Sequence, residues 1–450
     1  MIIIKNGLVV TDTAAQRDLA IENGKILRID PSIEISEGDQ VVDAAGCYVF
    51  PGFIDPHTHL QMDNGQIVTA DSFETGTKAA VIGGTTTLID FATQNKGGSL
   101  KDAYETWLAM AKDHSSCHYR FHMAITDYTD DIEAEIATMA DLGITSFKIY
   151  LAYDALRIED AHVYRCLKAV KACGGLLGAH CENGDLVNEG IKEQLAVGHM
   201  SPSAHPLSRP PVCEAESIAR LSRIGELVDY PVHVVHLSSE AGLLAVREAR
   251  ARGAKVTVET CPQYLVLDDT KYALPGFEGA KFVMSPPLRK PSDQQALLAA
   301  ILNGEIQTIA TDHCSYDYGT QKILGKDNFS KIPNGAPGLE HRGVLMYTLL
   351  LASGKLTPAE FVALMSTNAA KLYQLYPQKG VIQAGSDADL VIYDPKGEYE
   401  IKAVDQYQNL DYTPYEGMKV IGRVRDVFLN GHHVVAAGQL VKPGMGSYAK

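Results

Sequence analysis

The stretch Val49-Phe50-Pro51-Gly52-Phe53-Ile54-Asp55-Pro56-His57-Thr58-His59 decides how the chain is read. A compact apolar run of strand length, 49–55, passes directly into side chains that bind metals. Outward from it, seven more such runs follow at 85–91, 120–125, 144–151, 176–180, 232–237, 255–259 and 308–312. Between them lie segments whose apolar residues recur at helical spacing, among them 100–114, 132–142 and 241–252. Eight βα units over residues 51–380 predict an α/β fold, a closed (β/α)8 TIM-like barrel, although the count alone also suits an open doubly wound sheet. No G-x-G-x-x-G follows the first run, which argues against the dinucleotide-binding version of that sheet.

The two chain ends have a different texture. Residues 1–50 break into short strand-like pieces around Asn6-Gly7 and Asn23-Gly24, and residues 381–450 do the same around Leu390-Val391-Ile392-Tyr393, Val427-Phe428-Leu429 and Asn430-Gly431. Either half alone would leave an apolar sheet face wet, so both ends are expected to pair into one small discontinuous β-sandwich. With 450 residues, 46% of them hydrophobic, the chain can bury a large core. Its formal charge of -15 repels polyanions, which excludes nucleic acid as a partner and suits a small neutral substrate. The eight cysteines form no C-x-x-C pair and no apolar leader precedes the first strand, so a cytoplasmic protein with reduced thiols is expected. No apolar stretch nears the roughly 20 residues that cross a bilayer, so no membrane partner is expected.

In such a barrel, functional groups sit where strands pass into the following loops. Five of the eight run ends carry chemistry: Asp55-Pro56-His57-Thr58-His59, Ser146-Phe147-Lys148-Ile149-Tyr150, His180-Cys181-Glu182, His236-Leu237-Ser238 and Thr311-Asp312-His313. His57 and His59 are two apart on extended backbone and point the same way. H-x-H alone is common, and a lone strand-end aspartate such as Asp312 is usually a turn or cap residue. His233 and His236 are three apart and face opposite sides, so only one enters the site, and His236 lies nearer the strand end. Four histidines and an aspartate at strand ends that a barrel brings together predict a metal site. Imidazole and carboxylate without thiolate suit zinc, with manganese, cobalt or iron as substitutes. Lys148 is out of place beside cations and must stay away or lose its charge.

On these residues the chain resembles the dihydropyrimidinases and D-hydantoinases of the amidohydrolase superfamily. The resemblance spans nearly the whole chain and includes Pro51 to His59, Phe73-Glu74-Thr75-Gly76-Thr77, Ser146-Phe147-Lys148, Glu259-Thr260-Cys261-Pro262-Gln263-Tyr264-Leu265, Ser285-Pro286-Pro287-Leu288-Arg289, Thr311-Asp312-His313-Cys314 and Pro333-Asn334-Gly335-Ala336-Pro337-Gly338. It implies two divalent metal ions: His57, His59 and Asp312 hold one, His180 and His236 the other, and Lys148, carboxylated by CO2 to a carbamate, bridges them. It implies hydrolytic ring opening of cyclic ureides, 5-monosubstituted hydantoins or dihydropyrimidines such as dihydrouracil, to N-carbamoyl amino acids by a bridging hydroxide. Asp312 is then the general base and acid, Tyr153 the donor to the oxyanion, and Ser285 and Asn334 hold the ring.

Among relatives, dihydroorotase typically has an arginine two residues beyond the second histidine, where this chain has Gln61. Allantoinase is the alternative activity, and a non-enzymatic interaction protein on the same fold is the alternative of another class. The substrate's exocyclic group is expected against Leu60, Met62, Asp63 and Asn64 and against Ala152, Asp154, Ala155 and Leu156. Asp63 and Asn64 are more polar than the family pattern. The resemblance implies a homotetramer, with a dimer as the alternative.

Overall fold

In the computed structural model, which describes residues 1–63 and 65–449, the run at 49–55 breaks in two at Gly52. Tyr48–Pro51 pairs with Leu390–Glu400 and Ile2–Val10, whereas Phe53–Thr58 pairs with Thr85–Thr93. The predicted first barrel strand therefore spans two sheets. Gly52 makes the crossing possible: its N–H donates to the Asp389 carbonyl at 2.8 Å, and a Cβ there would lie 2.0 Å from Thr86 Oγ1. Any larger residue collides with the neighbouring strand.

Eight parallel strands then follow in chain order around the barrel: Phe53–Thr58, Thr85–Thr93, His118–Ala124, Ser146–Tyr150, Leu176–His180, Val232–Val234, Val256–Thr260 and Thr308–Ile309. A backbone bond from His59 N to His313 O at 2.8 Å and several side chains close the seam between first and last. The fully buried guanidinium of Arg342 donates to the carbonyls of Ile54 (2.8 Å) and Ile309 (2.7 Å), and Thr311 donates through N and Oγ1 to the Asp55 carboxylate at 3.1 and 2.7 Å. The helical segments form between the strands. Leu100–Ala111 starts at Ser99, whose hydroxyl accepts from Asp102 N, and buries Leu100, Ala103, Trp107 and Ala111 on one face. Glu240–Ala251 is capped the same way by Ser239.

Strands from both chain ends join one nine-stranded mixed sheet, linked where Tyr48–Pro51 lies between Ile2–Val10 and Leu390–Glu400. Ile4, Leu19, Val49, Leu390, Ile392 and Phe428 pack into its core, so neither half buries its apolar face alone. The pairs Asn23-Gly24 and Asn430-Gly431 all have positive φ, the backbone that two-residue hairpin turns require. The tail leaves this sheet and docks beside the start of the third barrel strand, with Tyr119 N donating to Ser447 O at 3.1 Å and Ala449 N to Tyr119 O at 2.8 Å. Among the described residues, no helix is long and apolar enough to cross a membrane.

Candidate metal centre and substrate cavity

His57 lies in the first barrel strand and His59 just beyond it, and both present Nε2 to one oxygen. Asp312 Oδ1 is 3.1 Å from His57 Nε2 and 3.3 Å from His59 Nε2. The opposite nitrogen of His57, Nδ1, is 2.7 Å from Glu259 Oε1 at the end of the seventh strand. A carboxylate accepting from Nδ1–H leaves the Nε2 lone pair free for a cation. Potential ligand atoms of His57, His236 and Asp312 all lie within 4.8 Å of one another. Burial opposes ionisation of Asp312, but the surrounding imidazoles of His57, His59 and His236 outweigh it and hold the carboxyl well below its usual range.

Beside this group, His180 Nδ1 faces His236 Nε2 at 3.0 Å. The far nitrogen of His180 meets Glu182 Oε2 at 2.9 Å, and that carboxylate also accepts from Arg209 at 2.6 Å. With Nε2–H of His180 committed to Glu182, Nδ1 carries a lone pair toward His236. The Nδ1 atoms of His59 and His236 are buried without partners. Lone pairs converging in a closed space, with orphaned imidazole nitrogens around them, fit a cation-binding pocket. Lys148 reaches the same place. Its Nζ is 3.4 Å from His57 Nε2 and lies 4.5 Å over the ring of Phe91 and 5.2 Å over that of Tyr150. Burial pushes its pKa down to about 8, and among the described residues no carboxylate pairs with it.

Five of the six metal-type residues, His59, Lys148, His180, His236 and Asp312, form the floor of a cavity of about 580 Å³, a volume suited to a small ring compound, while His57 is fully buried. Tyr153, half-buried with φ of 67°, stands over the floor with its ring 5.1 Å from that of His180, and Ser285 lines the same cavity. Ser285 Oγ donates to Asn334 Oδ1 at 3.2 Å. Burial pushes the Tyr153 phenol up to about 12 against the opposing charge of Arg209. Met62, Ile67, Leu156, Leu324 and Ile332 supply an apolar upper wall. Asp63 is turned to its own loop, accepting from Gly65 N at 2.8 Å, and does not line the cavity. Asn64 lies outside the described residues.

All six residues expected to bind metal thus come to one place, and Tyr153, Ser285 and Asn334 border it. Sequence reasoning missed Arg209, which packs its guanidinium 5.2 Å from the Tyr153 ring while pairing with Glu182. It follows a short helix, Ala204–Ser208, away from any strand end, so the search by strand ends could not find it. Glu182 and Glu259 stood in quoted motifs without a role. The i, i+2 spacing from His180 was a usable signal for Glu182.

Known proteins resemble this chain over nearly its whole length. The amidohydrolase family model matches residues 48–434, and the chain belongs to that family, whose members carry divalent metal centres. Within it, the chain groups with the D-hydantoinases and dihydropyrimidinases. It is 46% identical to the D-hydantoinase of Geobacillus stearothermophilus, covering 100% of this chain and 96% of that one. The crystal structure of dihydropyrimidinase from Brevibacillus agri superposes with a TM-score of 0.97 at 41% identity, over 99% of this chain and 97% of that one. An L-hydantoinase from Arthrobacter aurescens superposes less well, with a TM-score of 0.90 at 27% identity over 99% of each chain.

Proposed function

We propose that this chain opens 5-monosubstituted hydantoins and dihydropyrimidines such as dihydrouracil by hydrolysis, releasing N-carbamoyl amino acids. One observation carries the reading: four imidazoles, one carboxylate and one buried amine converge under a small cavity whose rim pairs a hydroxyl with a carboxamide. The enzyme is a cyclic amidohydrolase. His57, His59 and Asp312 would hold one divalent ion, and His180 and His236 the other. Lys148 lies beside both sets. Addition of its neutral amine to CO2, with loss of one proton, turns it from a misplaced cation into an anionic carbamate ligand. The donor set suits zinc, with manganese or cobalt as substitutes. Two such ions supply a water of lowered pKa and a polarised carbonyl.

The chain's own residues do the rest. Asp312 takes the proton from the attacking water and returns it to the leaving ring nitrogen. The Tyr153 hydroxyl donates to the carbonyl oxygen as it gains negative charge. Ser285 and Asn334 hold the ureide, whose alternating N–H and C=O groups need donors and acceptors side by side. Glu259 and Glu182 fix the ring tautomers of His57 and His180. The apolar wall takes the exocyclic substituent. The test is ring opening of dihydrouracil, 5-substituted hydantoins, allantoin and dihydroorotate, side by side, before and after chelation. Turnover of the first two that vanishes with the metal supports the reading. Turnover of allantoin alone would replace it, and metal-replete protein inert on all four would overturn it.

A further inference from the structure

Lys322 has no exposed surface, lies in the short 3-10 turn Lys322–Gly325, and is absent from the cavity lining. Its ammonium donates to three backbone carbonyls: Val283 at 2.7 Å, Pro333 at 2.9 Å and Gly335 at 2.6 Å. Three donors meet three acceptors, and among the described residues no carboxylate pairs with it. An ammonium buried without a counter-ion is unfavourable, and pure packing is better served by an apolar side chain. The carbonyls it gathers belong to the two loops that carry Ser285 and Asn334. Otherwise those loops are joined by the Gly335 N to Val283 O bond at 3.0 Å and by the Ser285–Asn334 contact itself.

Peptide geometry gives the arrangement a direction. The Pro333–Asn334 peptide is trans, so its C=O and N–H point opposite ways. The carbonyl faces Lys322 behind the cavity wall. The Asn334 N–H therefore points away from Lys322; Asn334 lines the cavity, and among the described residues this N–H has no protein acceptor. Burial pushes the Lys322 pKa down to about 7, but its three carbonyl contacts match the three donors of the protonated form, which polarises the peptide and strengthens its N–H as a donor.

We propose that Lys322 is a positioning residue: its buried ammonium clamps the 283–285 and 333–335 loops together and aims the Asn334 N–H at a carbonyl oxygen of the substrate. This rests on the reading of Ser285 and Asn334 as the residues that hold the ureide. The side chain touches no reacting atom, so its effect falls on binding more than on chemistry.

Lys322→Met and Lys322→Gln test it, each compared with the unaltered protein for KM, kcat, metal content and amide hydrogen exchange. Methionine keeps the length and loses every donor, and glutamine keeps two donors without charge. The methionine variant should raise KM for a hydantoin by roughly tenfold or more, with kcat within about threefold. Metal content should not change, and glutamine should fall between methionine and lysine. Exchange should quicken at 283–286 and 333–336 while the barrel strands stay protected. An unchanged KM, quickened exchange throughout the barrel, or failure of both variants to fold would make Lys322 a general stability element and overturn the proposal. Confined loosening in a protein that hydrolyses no ureide would keep the clamp and remove the substrate reading instead.

Discussion

Tyr153 holds a left-handed backbone that bulky residues avoid, and so do His236 (φ 39°) and Asp312 (φ 52°). Strain of this kind persists where the surroundings over-determine it, and here it falls on three residues of one cavity. Its role at Tyr153 is testable by removing one oxygen. Tyr153→Phe keeps the ring against His180 and Arg209 and should lower kcat by roughly two to three powers of ten with metals retained. Steady-state kinetics with metal analysis reads this, and an unchanged kcat would reduce Tyr153 to packing. At this scale much of the site was legible. His57, His59, His180, His236 and Asp312 stand where apolar runs end, and Lys148 was conspicuous as a cation among them. Tyr153, Ser285 and Asn334 could not be found by spacing, because each sits in a loop whose path is set by distant partners. They entered through the family resemblance. Lys322 and Arg209 gave no signal at all, since a lone cation in a sequence looks the same buried or solvated.

Among the elements, the eight apolar runs located the barrel well, but their ends shifted where hydrogen bonding stops before hydrophobicity does. The sixth and eighth strands shrink to Val232–Val234 and Thr308–Ile309, leaving His236 and Asp312 on irregular backbone beyond them. The continuous run at 49–55 hid a change of sheet, because apolar residues on either side of Gly52 serve two different cores. That crossing predicts a sharp sensitivity. Gly52→Ala forces a methyl onto Thr86 and should destabilise the protein by about 1–3 kcal/mol, read as a lower urea midpoint with unchanged slope. A midpoint equal to that of the unaltered protein would mean that the strand junction relaxes freely.

For the whole molecule, the pairing of both chain ends was legible from composition and from the turns at Asn23-Gly24 and Asn430-Gly431, although Asn6-Gly7 forms a bulge inside the continuous strand Ile2–Val10 and not a break, and docking of the tail beside the third barrel strand was not legible. A buried ion network ties the parts together. Lys379 Nζ lies 2.5 Å from Asp389 Oδ2 and 3.0 Å from Asp387 Oδ2, and His118 Nε2, at the start of that strand, is 3.5 Å from Asp389 Oδ1. Burial pushes the Asp389 carboxyl up, but Lys379 and His118 more than offset it and leave it below the ordinary 3.8. A carboxyl whose folded pKa is depressed stabilises the fold fully above its unfolded value and loses that stabilisation as pH falls through the folded one. Stability should therefore fall as pH drops below about 4. Asp389→Asn should cost about 3 kcal/mol at pH 7 and lose less than the unaltered protein on acidification, as read by urea unfolding at pH 7 and pH 3. Equal losses in both proteins would place the acid sensitivity elsewhere.

We propose that one cluster of four imidazoles, Asp312 and Lys148 holds the two ions with which this chain opens cyclic ureides. The most direct measurement is hydantoin turnover by metal-stripped protein as zinc is returned in known amounts, in bicarbonate-containing buffer, for the unaltered chain and for Lys148→Ala. Activity that is absent at first, rises with zinc and levels off at two ions per chain, and never returns in the lysine variant, is the predicted result. Full activity at one ion per chain, or turnover that survives in the metal-free protein or in Lys148→Ala, would contradict it.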